Sequence, residues 1–160
     1  MSSEFEASDI FEIAMRIEEN GSNFYRYAVQ VVGDEEAKAM FEFLAGEEDA
    51  HKETFKKLLS GIERHDAPES YPGEYGAYLR EYADNQLIFT KEIMDREMAG
   101  IKDTISAIEF AIRRELDSIL YYQEIKGFIS KHQHDEIDKI INEERKHFKI
   151  LSERKKKYLK

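Results

Sequence analysis

Two stretches, Glu12-Ile13-Ala14-Met15-Arg16-Ile17-Glu18 and Glu109-Phe110-Ala111-Ile112-Arg113-Arg114-Glu115, carry one pattern at an offset of 97 residues, and their reading decides the fold. The match continues from Phe24-Tyr25 onto Tyr121-Tyr122. At an offset of 96, Glu47-Glu48 and His51 fall on Glu143-Glu144 and His147. Such a repeat implies two units of one structural logic, related by a pseudo-twofold axis. Each unit contains two stretches of helical periodicity, so four long helices are expected.

Working outward from the repeat, the chain offers little to break those helices. Its only prolines, Pro68 and Pro72, share one loop, and Glu, Lys, Ile, Ala and Leu are plentiful. The first helix is expected from Asp9 to Val32 behind Ser8 as a cap, with Gly33-Asp34 turning the chain into a second from Glu35 to Ser60. Gly61 is the expected terminator. Residues 61–100 read as a crossover with short helical patterns around Ala77 to Asn85 and Phe89 to Glu97. A third helix is expected from Ile101 to Ser130. After the polar turn around Lys131 to His134, a fourth covers residues 134–158. The fold class is therefore all-α: an antiparallel four-helix bundle with a long crossover between the second and third long helices, in one domain over residues 1–160.

Steps of three and four residues place an apolar stripe on each helix. The first reads Phe11, Ala14, Met15, Glu18, Ser22, Tyr25 and Ala28, and the second Phe41, Leu44, Glu48, His51, Phe55 and Leu58. The third reads Ile101, Ile105, Ile108, Ile112, Glu115, Ile119, Tyr122 and Ile129, and the fourth Ile137, Ile140, Glu144, His147 and Leu151. Every stripe thus carries ionisable groups at its centre, where an unpaired buried carboxylate costs several kcal/mol. Something must neutralise them.

The spacing indicates what that could be. Glu48 with His51, and Glu144 with His147, stand three apart and project from one helix face. With 24 Glu among 160 residues, a Glu three before a His arises by chance for roughly 0.15 of histidines, so the motif alone decides nothing. Its force lies in the conjunction of mid-helix position, apolar stripe and repetition. Glu18 and Glu115 add one carboxylate each. Four carboxylates and two neutral imidazoles balance two divalent cations, a ligand set already known from di-iron and di-manganese carboxylate bundles. By symmetry Glu48 and Glu144 would bridge the metals, Glu18 and Glu115 would each cap one, and His51 and His147 would each complete one. Mixed oxygen and nitrogen ligation suits iron or manganese, and isolated protein could carry zinc. In the competing register Glu19, Glu47 and Glu143 would point inward instead; polar neighbours at helical spacing argue that Glu19 and Glu47 face solvent. Tyr25 and Tyr122, two turns beyond Glu18 and Glu115, stand within reach of the site, as core aromatics or as hydroxyl partners of it. His65, His132 and His134 fall in loops or at a helix start, and Tyr71, Tyr75, Tyr78 and Tyr82 read as packing residues of a short helix.

Composition limits the alternatives. The absence of cysteine excludes disulfides, thiolate metal sites, iron–sulfur clusters and cysteine nucleophiles, and it suits a cytoplasmic protein. No apolar run approaches a membrane span, and no signal-like start is present. A net charge of −10 disfavours nucleic acid and anionic membranes as partners. The basic run from Arg154 to Lys160 reads as a solvated helix end whose cations suit the C-terminal dipole.

The chain resembles the rubrerythrin-like branch of the ferritin-like superfamily. The resemblance rests on Glu18, Glu48-x-x-His51, Glu115, Glu144-x-x-His147, the Phe24-Tyr25 and Tyr121-Tyr122 pairs, and the duplication; it covers the four long helices but not the crossover. It implies a ferritin-like bundle holding two iron ions, and a di-iron oxidoreductase that reduces hydrogen peroxide or dioxygen or oxidises ferrous iron. A homodimer is the oligomer that resemblance suggests. Two features depart from the family pattern. Without cysteine there can be no rubredoxin domain with its four-cysteine iron site, so a separate electron-donor protein is required. The extra carboxylate that rubrerythrins carry one turn from the third-helix ligand is absent, its neighbours here being Ile112 and Ser118. Two other readings stand beside this one: a noncatalytic iron-binding or storage protein, and a helical interaction module whose Glu/His cluster is a relic. Bacterioferritins share the six-ligand pattern, but the 67 residues from Glu48 to Glu115 are long for a shell-forming ferritin.

Overall fold

The structure, a computed structural model, describes residues 7–65 and 91–160, with 78 and 81 between them. Among the described residues the chain is helical without strands. Helix α1 spans Ala7–Val31, α2 Glu35–His65, α3 Lys91–Ala99, α4 Thr104–Ile125 and α5 His134–Tyr158, with 3-10 turns at Lys126–Phe128 and Lys131–Gln133. None of these helices is long and apolar enough to cross a membrane.

The fourth long helix keeps the expected bounds, while the others shift for local reasons. Helix α1 already includes Ala7, so Ser8 lies inside it and does not cap it. Helix α2 runs through Gly61 to His65. No described glycine has a positive φ, and Gly61 therefore never adopts the left-handed conformation by which a glycine stops a helix. Helix α4 begins at Thr104 and not at Ile101, because Asp103 and Ser106 form a reciprocal cap: the Ser106 amide donates to Asp103 Oδ1 at 2.7 Å and the Asp103 amide to Ser106 Oγ at 3.3 Å. It ends at Ile125 and not at Ser130. Beyond it the chain tightens into a 3-10 turn and Ile129 becomes extended, which tucks Phe128 and Ile129 into the core. Of the two helical patterns expected in the crossover, the later is α3. The earlier lies outside the described residues apart from Tyr78 and Glu81, as do Pro68, Tyr71, Pro72, Tyr75, Tyr82 and the side chain of His65. Within the earlier pattern, Tyr78 is described and is helical and exposed.

Two apolar clusters build the core, one towards each end of the bundle. One gathers Phe11, Ile17, Phe55, Tyr121, Tyr122, Ile125 and Ile140; the other gathers Phe24, Tyr25, Phe41, Leu44, Ile108, Phe110 and Leu151. Their order along the chain gives the helix directions. Helices α1 and α5 pass from the first cluster to the second, and α2 and α4 from the second to the first. Each hairpin pair, α1 with α2 and α4 with α5, is thus antiparallel. Fully burying a large apolar side chain contributes roughly 1.5–3 kcal/mol, so the two clusters can together carry a polar layer between them. That layer holds Glu18, Glu48, His51, Glu115, Glu144 and His147, all buried. Cross-helix hydrogen bonds hold α4 on α1: the Tyr121 hydroxyl donates to the Ile10 carbonyl at 3.0 Å, and the Arg114 guanidinium to the Ile17 carbonyl at 3.3 Å.

Candidate metal centre

Each of the four long helices delivers its central residues to the same level. Glu18 comes from α1, Glu48 and His51 from α2, Glu115 from α4, and Glu144 and His147 from α5. Their donor atoms form two overlapping groups. Glu18, Glu48, His51 and Glu144 bring one atom each to within 4.8 Å of one another, and so do Glu48, Glu115, Glu144 and His147. Glu48 and Glu144 belong to both groups, whereas the other four residues belong to one each. The imidazoles lie side by side, their ring centres 5.5 Å apart and their planes 19° from parallel.

Both imidazoles turn Nδ1 inward. His51 Nδ1 stands 2.7 Å from Glu144 Oε1 and 3.4 Å from Glu18 Oε2. His147 Nδ1 stands 3.6 Å from Glu48 Oε1, 3.6 Å from Glu144 Oε2 and 3.8 Å from Glu115 Oε1. The opposite nitrogens face outward. His51 Nε2 is 2.7 Å from Glu143 Oε2, and His147 Nε2 is 3.8 Å from Glu47 Oε2. Glu143 therefore holds the His51 ring from behind, and Glu47 stands behind His147 beyond hydrogen-bond reach, each coming across from the other hairpin. By spacing alone both read as inward ligands of a shifted register, or in the case of Glu47 as a solvated residue; their place in the duplicated Glu-Glu pairs is the signal that marks them. Their side chains are 37% and 43% exposed, which rules out that register, and Glu19 is exposed as well.

The tyrosines cross over in the same way. Tyr25 on α1 donates its hydroxyl proton to Glu115 Oε1 on α4, and Tyr122 on α4 donates to Glu18 Oε1 on α1. Tyr25 stacks on Phe41 at 5.8 Å, and Phe55 lies 5.0 Å from Tyr122. Burial and the nearby carboxylate charges, those of Glu115 for Tyr25 and Glu18 for Tyr122 foremost, push both phenols well above their ordinary value. They remain protonated donors. His132 is exposed, and His134 opens α5 with Nε2 3.3 Å from the Ile129 carbonyl, so neither joins the centre.

Electrostatics favours protons inside this layer when nothing else neutralises it. Burial lowers the affinity of His51 for a proton, but contacts with Glu144 and Glu18 outweigh it and push the imidazole up to about 12. His147 is raised as well: burial opposes the shift, and contacts with Glu115, Glu144 and Glu48 prevail. Burial, reinforced by the Glu18 charge, holds Glu48 well above the usual carboxylate range. Burial and the Glu144 charge push Glu115 up to about 8. Against the upward pull of burial and of the Glu48 charge, contacts with Glu115, His147 and His51 keep Glu144 below that range.

The donor atoms themselves test whether metal ions fit. Glu18 Oε2, His51 Nδ1, Glu115 Oε2, Glu144 Oε1 and His147 Nδ1 are sealed from solvent and make no aligned hydrogen bond. Buried polar atoms without partners are rare in folded proteins and call for an explanation. These five belong to five of the six clustered residues and converge on the same two groups. Carboxylate oxygen with one imidazole nitrogen per group is a donor set for iron, manganese or zinc, so the residues present fit such ions.

Comparison with known proteins agrees with this geometry. A family model described as Rubrerythrin matches residues 9–155. Among solved structures, a crystal structure from Thermotoga maritima, described as that of a candidate ferritin-like diiron-carboxylate protein, is similar with 26% sequence identity and a TM-score of 0.63. The alignment covers 98% of each chain. No curated protein matches the chain.

Proposed function

The chain belongs to the rubrerythrin family, and from that premise we propose that it is a di-iron oxidoreductase that reduces hydrogen peroxide or dioxygen with electrons from a separate protein. One observation carries the reading: two overlapping donor groups share Glu48 and Glu144 and contain the buried atoms that lack partners. In this reading Glu18 and His51 belong to one metal ion, Glu115 and His147 to the other, and Glu48 and Glu144 to both. When bound, two ferrous ions would supply two electrons, the number that peroxide reduction to two waters consumes together with two protons.

The rest of the chemistry belongs to the chain. The apolar clusters on either side of the layer exclude bulk water, which strengthens every electrostatic interaction within it. Glu143 fixes the His51 ring through Nε2, leaving Nδ1 free to act as a ligand, and Glu47 stands 3.8 Å behind His147 Nε2. Tyr25 and Tyr122 occupy Oε1 of Glu115 and Glu18, so Oε2 of each carboxylate is the atom left over. Their phenolic protons are held on carboxylates of the site itself.

The test begins with metal content. Protein loaded anaerobically with ferrous iron should hold about two iron atoms per chain, and Glu48→Ala and Glu144→Ala should both lose them. Parent protein without stoichiometric iron would end the di-iron reading. Iron-loaded protein should then oxidise on addition of peroxide. Iron that binds but resists both peroxide and dioxygen would favour a noncatalytic iron-binding protein.

A further inference from the structure

Gly21 lies buried in the middle of α1, one turn beyond Glu18. Glycine inside a helix is disfavoured relative to alanine, and its use there asks for a reason. The backbone provides none, because φ at this position is not positive. The space beside it does. A Cβ at position 21 would lie 3.0 Å from Glu48 Oε2, 3.2 Å from its Cδ and 3.4 Å from its Cγ. Glu48 therefore lies along the bare α1 backbone, in room that any side chain at 21 would take. Gly46, exposed on α2, shows the contrast: a Cβ there would meet nothing within 4 Å. The repeat supplies a second contrast, since the residue 97 positions on from Gly21 is Ser118, also buried. The other hairpin thus accommodates a side chain at the equivalent place.

We propose that Gly21 is a positioning residue for Glu48, setting where this carboxylate stands between the two donor groups it shares. The inference rests on the reading of Glu48 as a metal ligand. The geometry decides which property suffers when the gap is filled. The atoms that an alanine methyl would meet form the end of a side chain and not backbone, so the helices need not part. Glu48 cannot swing away freely, however, because it is buried, with Oε1 3.6 Å from His147 Nδ1. The carboxylate must give by a few tenths of an ångström. That is small for packing but comparable with the roughly 0.5 Å within which a functional constellation must be held.

Gly21→Ala tests this, with Gly46→Ala as the control for helix propensity. Metal-free samples are compared by thermal midpoint, and ferrous iron binding is followed by anaerobic calorimetry. Metal-free Gly21→Ala should melt at or above the parent midpoint, yet bind ferrous iron roughly tenfold or more weakly. Gly46→Ala should bind as the parent does. In a Glu48→Asp background, where the carboxylate is withdrawn by one methylene, adding Gly21→Ala should cost little more. Parent-like iron affinity in Gly21→Ala would overturn the proposal, as would an equal penalty in the Glu48→Asp background. So would a metal-free Gly21→Ala protein that is destabilised or unfolded, since the glycine would then serve helix packing. Failure of the parent to bind iron is a separate result: it defeats the metal-site reading, and this inference with it, before any variant is compared.

Discussion

Loading the centre with two divalent ions should expel about four protons at pH 7. The perturbation is metal addition itself, and the number follows from the metal-free site. His51, pushed up to about 12, and His147, also raised, both enter as imidazolium. Burial holds Glu48 well above the usual carboxylate range and pushes Glu115 up to about 8, which favours the neutral form of both. One proton from each makes four, and the four positive charges leaving equal those that two divalent ions bring. The net charge of the buried layer is then unchanged, which is how an apolar core can tolerate the exchange. Near pH 8 Glu115 is half ionised before metal arrives, so release should fall by about half a proton. Affinity must rise with pH, with the overall constant for both ions climbing about four decades per pH unit near neutrality. Anaerobic calorimetry with ferrous iron, in two buffers of different ionisation enthalpy, counts the protons directly. Release of two or fewer at pH 7, or an affinity indifferent to pH, would refute the reasoning.

Other outcomes follow from the same contacts. Metal-free protein should lose thermal stability as pH rises across neutrality. Glu115 has a folded value of about 8 against an ordinary 4.5, so stability falls between those values; the contribution of His51, whole below 6.5, drains as pH climbs toward 12. A melting midpoint that rises over pH 5 to 8 without metal would contradict this. Tyr25→Phe and Tyr122→Phe should each destabilise the metal-free protein by about 1–3 kcal/mol in denaturant titrations, since each leaves a buried carboxylate oxygen without its donor. The two losses should be similar, because the repeat makes the contacts equivalent. Glu143→Gln should weaken ferrous binding by roughly tenfold to a hundredfold, and Glu47→Gln by less, given 2.7 Å against 3.8 Å to their imidazoles. Equal effects would show that these distances do not govern support of the histidines.

The four long helices and the six clustered residues were legible because periodicity and duplication act along the chain. Glu18, Glu48, His51, Glu115, Glu144 and His147 stood out as polar residues on apolar stripes, and all six are buried at one level. What escaped depends on helix ends and on contacts between helices. The reciprocal cap at Asp103 and Ser106 is a local signal hidden by an apolar stripe that runs back to Ile101, a residue that enters the core from outside the helix. Gly61 looked like a terminator, but helix α2 does not take the backbone turn that makes one. The stripe of α4 was only partly right, since Ala111, Ser118 and Tyr121 are buried while Ile105, Ile112 and Ile119 are half-buried. No period along one helix could reveal that Tyr25 would bond Glu115 and not Glu18.

That crossing bears on how the centre can form at all. Tyr25 bonds Glu115, Tyr122 bonds Glu18, Glu143 holds His51 and Glu47 stands behind His147, so these four contacts all run between hairpins. Glu48 and Glu144 likewise belong to both donor groups. A single hairpin, α1 with α2 or α4 with α5, would hold three of the six clustered residues and would lack the tyrosine and the outer glutamate that meet them. The duplicated sequence therefore does not encode two half-sites that work separately; it encodes two halves each of which holds the other's ligands in place. Docking of the hairpins, the burial of carboxylates and the creation of metal affinity are in consequence one event, and the ions stabilise the docked state in proportion to their affinity for it.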